Sequence, residues 1–159
     1  MMIVRRMMAE DRPAAAAIEK LCFSCPESEQ SLALYDGVRG IGFVVADIPE
    51  PSHLCTMCAP EEPTLIAHGT VFFAPDEGQI INIATHPDHR RKGAARKLME
   101  AIIDDAKARG FVQLSLEVRV GNIPAIELYR SYGFTIEGTR KNFYRCPTED
   151  AYVMLKNLT

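Results

Sequence analysis

Apolar and polar positions alternate with changing period along the chain, and the changes mark out its elements. Short apolar runs of strand length occupy 2–8, 41–47, 64–73 and 79–84. The turn Ala74-Pro75-Asp76-Glu77-Gly78 lies between the last two and makes them antiparallel neighbours. The period then lengthens to three and four. Ala94, Ala95, Leu98, Met99, Ile102, Ile103 and Ala106 form one helical stripe, and Gly110 closes that helix. From 111 to 118 the period returns to two, with Val112, Leu114, Leu116 and Val118 on one face and Gln113, Ser115, Glu117 and Arg119 on the other.

Three shorter helices complete the predicted order. Asp11 caps one that carries Pro13 in its first turn and ends near Leu21. A turn holding Pro26 leads to a second over 28–36. Asn122 caps the third, which has Pro124 in its first turn, runs to about Tyr132 and is followed by Gly133. The last strands are predicted at 134–137 and 151–156, joined by a polar connection that carries Phe143 and Tyr144. Residues 48–63 contain four prolines and only acidic charges, so they read as a long hairpin loop. This order predicts an α/β protein with a mixed, mostly antiparallel sheet flanked by helices.

Length and charge narrow the picture. A chain of 159 residues with 47% apolar and 25% charged residues fits one globular domain spanning 1–159. The net charge of −3 argues against a nucleic-acid-coating role. The N-terminus lacks the apolar core of a signal peptide, and no run approaches membrane-spanning length, so a cytoplasmic protein without membrane partners is expected. The oligomeric state stays open.

Between strand 79–84 and the long helix lies Thr85-His86-Pro87-Asp88-His89-Arg90-Arg91-Lys92-Gly93-Ala94-Ala95-Arg96. A loop that delivers main-chain N–H groups to a helix start is an anion site, and the basic side chains add full charges beside it. Neither common phosphate-loop spacing is present. What is present is R-x-x-G-x-A at Arg90, Gly93 and Ala95. A solvated basic helix start is the plain alternative. Glu117 and Tyr129 are the candidates for proton transfer. By themselves they also read as an ion-paired carboxylate and a core tyrosine.

The loop pattern resembles the pyrophosphate-binding signature of the GNAT acyltransferase superfamily. The segments L-E-V-R-V-G-N, A-I-E-L-Y-R-S-Y-G-F, G-T-R-K-N-F-Y and P-T-E-D-A-Y-V-M follow in order, and together they resemble the ribosomal-protein N-terminal alanine acetyltransferase branch of that superfamily. The resemblance implies an acetyl-CoA-dependent N-acetyltransferase. It implies that Ile83, Ala84 and Thr85 contact acetyl-CoA through their backbone, and that Arg91, Lys92, Gly93, Ala94, Ala95 and Arg96 cradle its pyrophosphate. Asn122 would bond the pantetheine arm, Glu117 would act as general base, Tyr129 as general acid and Tyr144 as an acceptor contact.

The acceptor implied is a protein N-terminus, with a small amine or a lysine side chain as the alternative. Neutralising lysine at pH 7 costs roughly 3–4 kcal/mol more than neutralising an α-amine, which favours the N-terminus. The family's proline-tryptophan pair is Pro26-Glu27 here, and the chain has no Trp.

Five cysteines point to no disulfide framework. Cys22-x-x-Cys25 and Cys55-x-x-Cys58 match the local spacing of zinc ligands, but coincidence is the favoured reading and no metal is assigned. A non-catalytic acyl-CoA-binding or zinc-clipped module is the rival of another class.

Overall fold

Seven strands form one sheet in the order β1-β2-β3-β4-β5-β7-β6. A computed structural model of the chain describes residues 1–50 and 62–159. Its elements are β1 (Met2–Arg6), α1 (Arg12–Cys22), α2 (Glu29–Leu32), β2 (Gly40–Asp47), β3 (Thr64–Phe73), β4 (Glu77–Thr85), α3 (Ala94–Ala108), β5 (Gln113–Arg119), α4 (Ile123–Ser131), β6 (Thr135–Tyr144) and β7 (Glu149–Asn157). All neighbours are antiparallel except β4 and β5, which run parallel. A parallel pair needs a crossover, and α3 supplies it. The mixed, mostly antiparallel architecture is therefore the one that the sequence pattern predicts.

The long-helix stripe is the centre of the main core. Ala94, Leu98, Met99, Ile102, Ile103 and Ala106 are all buried and pack with Ile41, Phe43 and Val45 of β2, Leu114, Leu116 and Val118 of β5, and Ile126 and Tyr129 of α4. Between those β2 residues, Gly42 faces Met7, which packs with Ala15, Ala16, Leu32 and Tyr35 in a smaller cluster under α1 and α2. Period-two alternation thus divides the sheet between two helical layers.

Local differences from the sequence reading have physical causes. Ala95 is only half-buried and Val112 is 40% exposed, because α3 turns Ala95 toward a cavity and β5 begins one residue after Val112. The helix expected over 28–36 is a single turn, capped where Ser28 Oγ accepts the Ser31 N–H at 3.2 Å. Asp11 does not cap α1. Its carboxylate instead accepts the Met8 N–H (2.7 Å) and the two-pronged Arg5 guanidinium (2.6 and 2.8 Å).

The largest difference is β6. It extends to Tyr144, so the expected polar connection is strand. β6 is an edge strand whose register shifts twice against β7, so its 137–144 half shows no apolar alternation to read. Residues 51–61, most of the proline-rich loop, lie outside the described part.

Candidate active site

The site begins where two parallel strands part. β4 and β5 are in register only from Glu77↔Gln113 to Ile80↔Leu116. Ile81 is an extra residue opposite β3, since Thr70 pairs Asn82 while Val71 pairs Ile80. A bulge of this kind bends its strand. Beyond it, the second half of β4 pairs only with β3, and Glu117, Val118 and Arg119 of β5 pair only with β7. Two cavities open along this split, of about 760 and 890 Å³. Cys22, Phe23, Ile83, Asn122, Ala125 and Tyr129 line both, so the two spaces meet there.

The second cavity runs along the loop before α3. Ile83, Ala84 and Thr85 line it, as do Arg91, Gly93, Ala94, Ala95 and Arg96. Arg91 (φ 62°) and Gly93 (φ 92°) both adopt left-handed backbone conformations. Such a turn gathers successive N–H groups on its concave side, a main-chain nest for an anion. The first N–H to bond back at this helix start is that of Lys97, to Gly93 O at 3.1 Å. The amides before it are the free donors of the helix N-terminus. Gly93 is required by its dihedral and not by space, because a Cβ there meets nothing within 4 Å. Lys92 is exposed and lines neither cavity, so its side chain stands apart from the other loop residues expected at the site.

Glu117 lines the first cavity from the split end of β5, with its side chain 12% exposed. Its Oε2 accepts the Gln79 amide N–H at 2.9 Å, and its Oε1 lies 3.5 Å from Arg140 Nε. A carboxylate held at both oxygens has a fixed orientation toward the cavity.

Tyr129 comes from α4 and is buried where the two cavities join. Burial, with Tyr144 nearby, pushes its hydroxyl well above the ordinary tyrosine range, so it stays protonated at neutral pH. Asn122 caps α4, its Oδ1 accepting the Ala125 N–H at 3.4 Å, and this leaves its amide nitrogen free to serve the cavities.

The far wall of the first cavity is assembled from distant segments. Tyr144, at the end of β6, stacks under the Arg119 guanidinium at 4.4 Å and meets Phe143 edge-on at 5.1 Å. Burial and then Glu117 push its hydroxyl up to about 12. Opposite stand Phe23, Ser24, Cys25 and Glu27 from the turn after α1. Burial, reinforced by Glu19, raises the Glu27 carboxyl above its usual range.

The structure brings Glu117, Tyr129, Asn122 and Tyr144 together around one space. Gln79, Arg140 and Asn82 belong to this site as well and were not legible in the sequence. Gln79 reaches Glu117 through the parallel pairing, and Arg140 through the unanticipated part of β6; neither leaves a local spacing signal. Cys22 and Cys25 are free thiols, whereas Cys55 and Cys58 lie outside the described residues. Among the described residues no group of three or more His, Cys, Asp or Glu side chains is placed to hold a metal, and no helix is long and apolar enough to cross a membrane.

Comparison with known proteins agrees with this geometry. The model of the acetyltransferase (GNAT) family matches residues 13–134. The chain is 35% identical over 148 residues to the ribosomal protein bS18-alanine N-acetyltransferase of Escherichia coli K12, covering 91% of this chain and 89% of that relative. The Salmonella typhimurium enzyme of the same name is 34% identical with the same coverage. The crystal structure of the ribosomal-protein-S18-alanine N-acetyltransferase from Escherichia coli superposes with a TM-score of 0.83 at 32% identity, spanning 100% of this chain and 95% of that one. A split parallel pair, a main-chain nest at a helix start and these relatives over nine-tenths of the sequence have one reading: the chain belongs to the GNAT acetyltransferase family, whose acetyl donor is acetyl-CoA.

Proposed function

We propose that this protein acetylates the N-terminal α-amine of a protein by direct transfer from acetyl-CoA, that its acceptor is an alanine-starting ribosomal protein of the bS18 type, and that it acts in the cytoplasm with residues 1–159 as one catalytic unit. The meeting of the two cavities at Tyr129 carries this reading. It provides one space for a donor along the α3 loop and a second for an acceptor beside Glu117. Holding both reactants in contact supplies much of the rate without a covalent enzyme intermediate. The close relatives carry that activity in their names.

Each residue then has a task. The amides around Arg91–Arg96, with the Arg91 and Arg96 side chains, hold the donor's pyrophosphate. The main-chain groups of Ile83 and the Thr85 N–H, which face the parted β5 side, bond the pantetheine arm and, at the split, the thioester oxygen as charge develops on it, while Ala84, whose own N–H and C=O face β3, lines the path. Asn122 adds its free amide nitrogen. Glu117, fixed by Gln79 and Arg140, takes the proton from the acceptor amine, directly or through water. Tyr129 gives its proton to the departing thiolate. Tyr144 lines the acceptor's path.

An α-amine suits this machinery. One carboxylate is a modest base, and an α-amine of reference pKa about 7.7–8.0 is already partly neutral at pH 7 whereas lysine at about 10.4 is not.

The test is incubation with acetyl-CoA and a panel of peptides, with products read by mass. A single acetyl group on the N-terminus of alanine-starting peptides is the expected result. Acetylation of free polyamines or of internal lysines alone would overturn the reading.

A further inference from the structure

Glu19 has no part in the chemistry above, yet it is a fully buried carboxylate, 0% exposed. Burying a charged group costs several kcal/mol unless its oxygens are bonded. Both oxygens of Glu19 are. Oε2 accepts the main-chain N–H of Glu27 at 3.1 Å, and Oε1 accepts the Asn82 amide N–H at 3.3 Å. His68 on β3, also fully buried, places Nε2 3.0 Å from Oε1, within ion-pair distance though not aligned as a hydrogen bond.

The two hydrogen-bond donors belong to different walls of the first cavity. Glu27 ends the turn after α1, and Asn82 sits on β4 just past the Ile81 bulge. Glu19 and His68 line neither cavity. One carboxylate behind the site therefore joins two segments that the sheet's own hydrogen bonds leave unconnected.

We propose that Glu19 is a positioning residue for acceptor binding: it ties the turn 23–28 to β4 and so sets the width of the space in which the acceptor amine meets Glu117. This rests on the reading that the acceptor enters the first cavity. The pyrophosphate nest is outside its reach, because it is built from the segment before α3, which Glu19 does not touch.

The substitution Glu19→Gln tests it. Glutamine keeps the volume but removes the charge and turns one accepting oxygen into a donor, so the Glu27 link loses its charged acceptor and the Asn82 link survives only if that amide turns its oxygen inward. This weakening is expected to raise the KM for an alanine-starting peptide about ten-fold, with kcat and the KM for acetyl-CoA within about three-fold. Glu19→Ala, which breaks both links, has the larger effect on the same constant, so glutamine acts as a partial rescue. Hydrogen exchange gives a readout that needs no turnover. Amides of residues 23–28 are expected to exchange faster in Glu19→Gln, while those of the buried α3 face are unchanged.

Equal rises in both KM values, or unaltered exchange in the turn, would overturn the positioning role. If Glu19→Gln does not fold, Glu19→Asp carries the same test, since the shorter side chain keeps the carboxylate but cannot reach both the Glu27 N–H and the Asn82 amide. A wild-type protein that acetylates no peptide N-terminus would remove the proposed function, whereas exchange in the turn would still decide the role of Glu19.

Discussion

The wall formed by β4 and the α3 loop differs in construction from the wall formed by the 23–28 turn and the β6–β7 hairpin. On the first, the groups offered to a ligand are mostly main chain: strand N–H groups freed by the split, and loop amides gathered by Arg91 and Gly93 in left-handed conformations. They come from one continuous segment. On the second, the groups are side chains from α1, β4, β5 and β6, held by contacts such as Arg119 on Tyr144 and Glu19 behind Glu27. A main-chain site tolerates changes of side chain, because any residue except proline supplies the donor. A side-chain site changes character with each substitution. The contrast accounts for a nearly unaltered donor pattern beside Pro26-Glu27, where the family carries tryptophan.

The strongest way to break this comparison is at the groups proposed for the chemistry, Glu117 in the first cavity and Tyr129 where the two cavities join. Glu117→Gln is expected to lower kcat by about 10²–10⁴ while leaving acetyl-CoA affinity within a few-fold, measured by steady-state kinetics and by calorimetry with coenzyme A. An unchanged rate removes Glu117 from its proposed role. Tyr129→Phe falls in the same class. With the Tyr129 hydroxyl raised by burial, kcat is expected to show no loss from its ionisation below about pH 10, the ordinary tyrosine value. A fall in kcat near pH 8–9 that disappears in Tyr129→Phe would contradict the raised value.

Next in size come variants that separate the two walls. Tyr144→Ala should raise the KM for the peptide on the order of ten-fold and leave that for acetyl-CoA unchanged. Gly93→Ala should do the reverse. Its Cβ meets no neighbour, so the cost is the left-handed dihedral, about 1 kcal/mol, expressed as a weaker hold on acetyl-CoA and a slightly lower Tm. If both variants shift both constants together, the division into two walls is wrong.

The smallest effects concern stability against pH. The Arg5 hydrogen bonds hold the Asp11 carboxyl below its usual range, against a smaller opposing effect of burial. A depressed carboxylate stabilises the fold above its unfolded pKa, near 4, and this contribution is lost as pH falls through the lower folded value. The expected result is that Asp11→Asn lowers Tm at pH 7 and that the gap from wild type closes in acid. Glu27 has the opposite sign. Its raised carboxyl favours the fold at low pH and the advantage disappears as pH rises through the folded value, so Glu27→Gln is expected to raise Tm at neutral pH. Thermal scans from pH 3 to 8 check both.

Much of the donor side was open to sequence reading because it is local. A strand, a basic glycine loop and a helical stripe are contiguous, and their periods follow from backbone geometry alone. The Asn122 cap and the Gly110 stop are local for the same reason, and both are present. The acceptor side resisted reading. β6 has no alternation because its register shifts and its edge position expose both faces. Glu19 carries no spacing signal in the sequence, since only the packing of α1 on β3 and β4 buries it. Asp11 has the right residue type for a cap but finds Arg5 on β1, whose guanidinium it binds more strongly than a neutral N–H.

By itself, then, the sequence determined most of the elements, their order, the antiparallel β3–β4 pair and the basic glycine loop before α3, all of which depend on neighbours within a few turns or one hairpin. The tertiary structure alone decided the parting of β4 from β5, the arrival of Gln79 and Arg140 at Glu117, and the buried tether from Glu19 to two cavity walls. Those features depend on which distant segments come to lie side by side, and period and propensity carry no record of that.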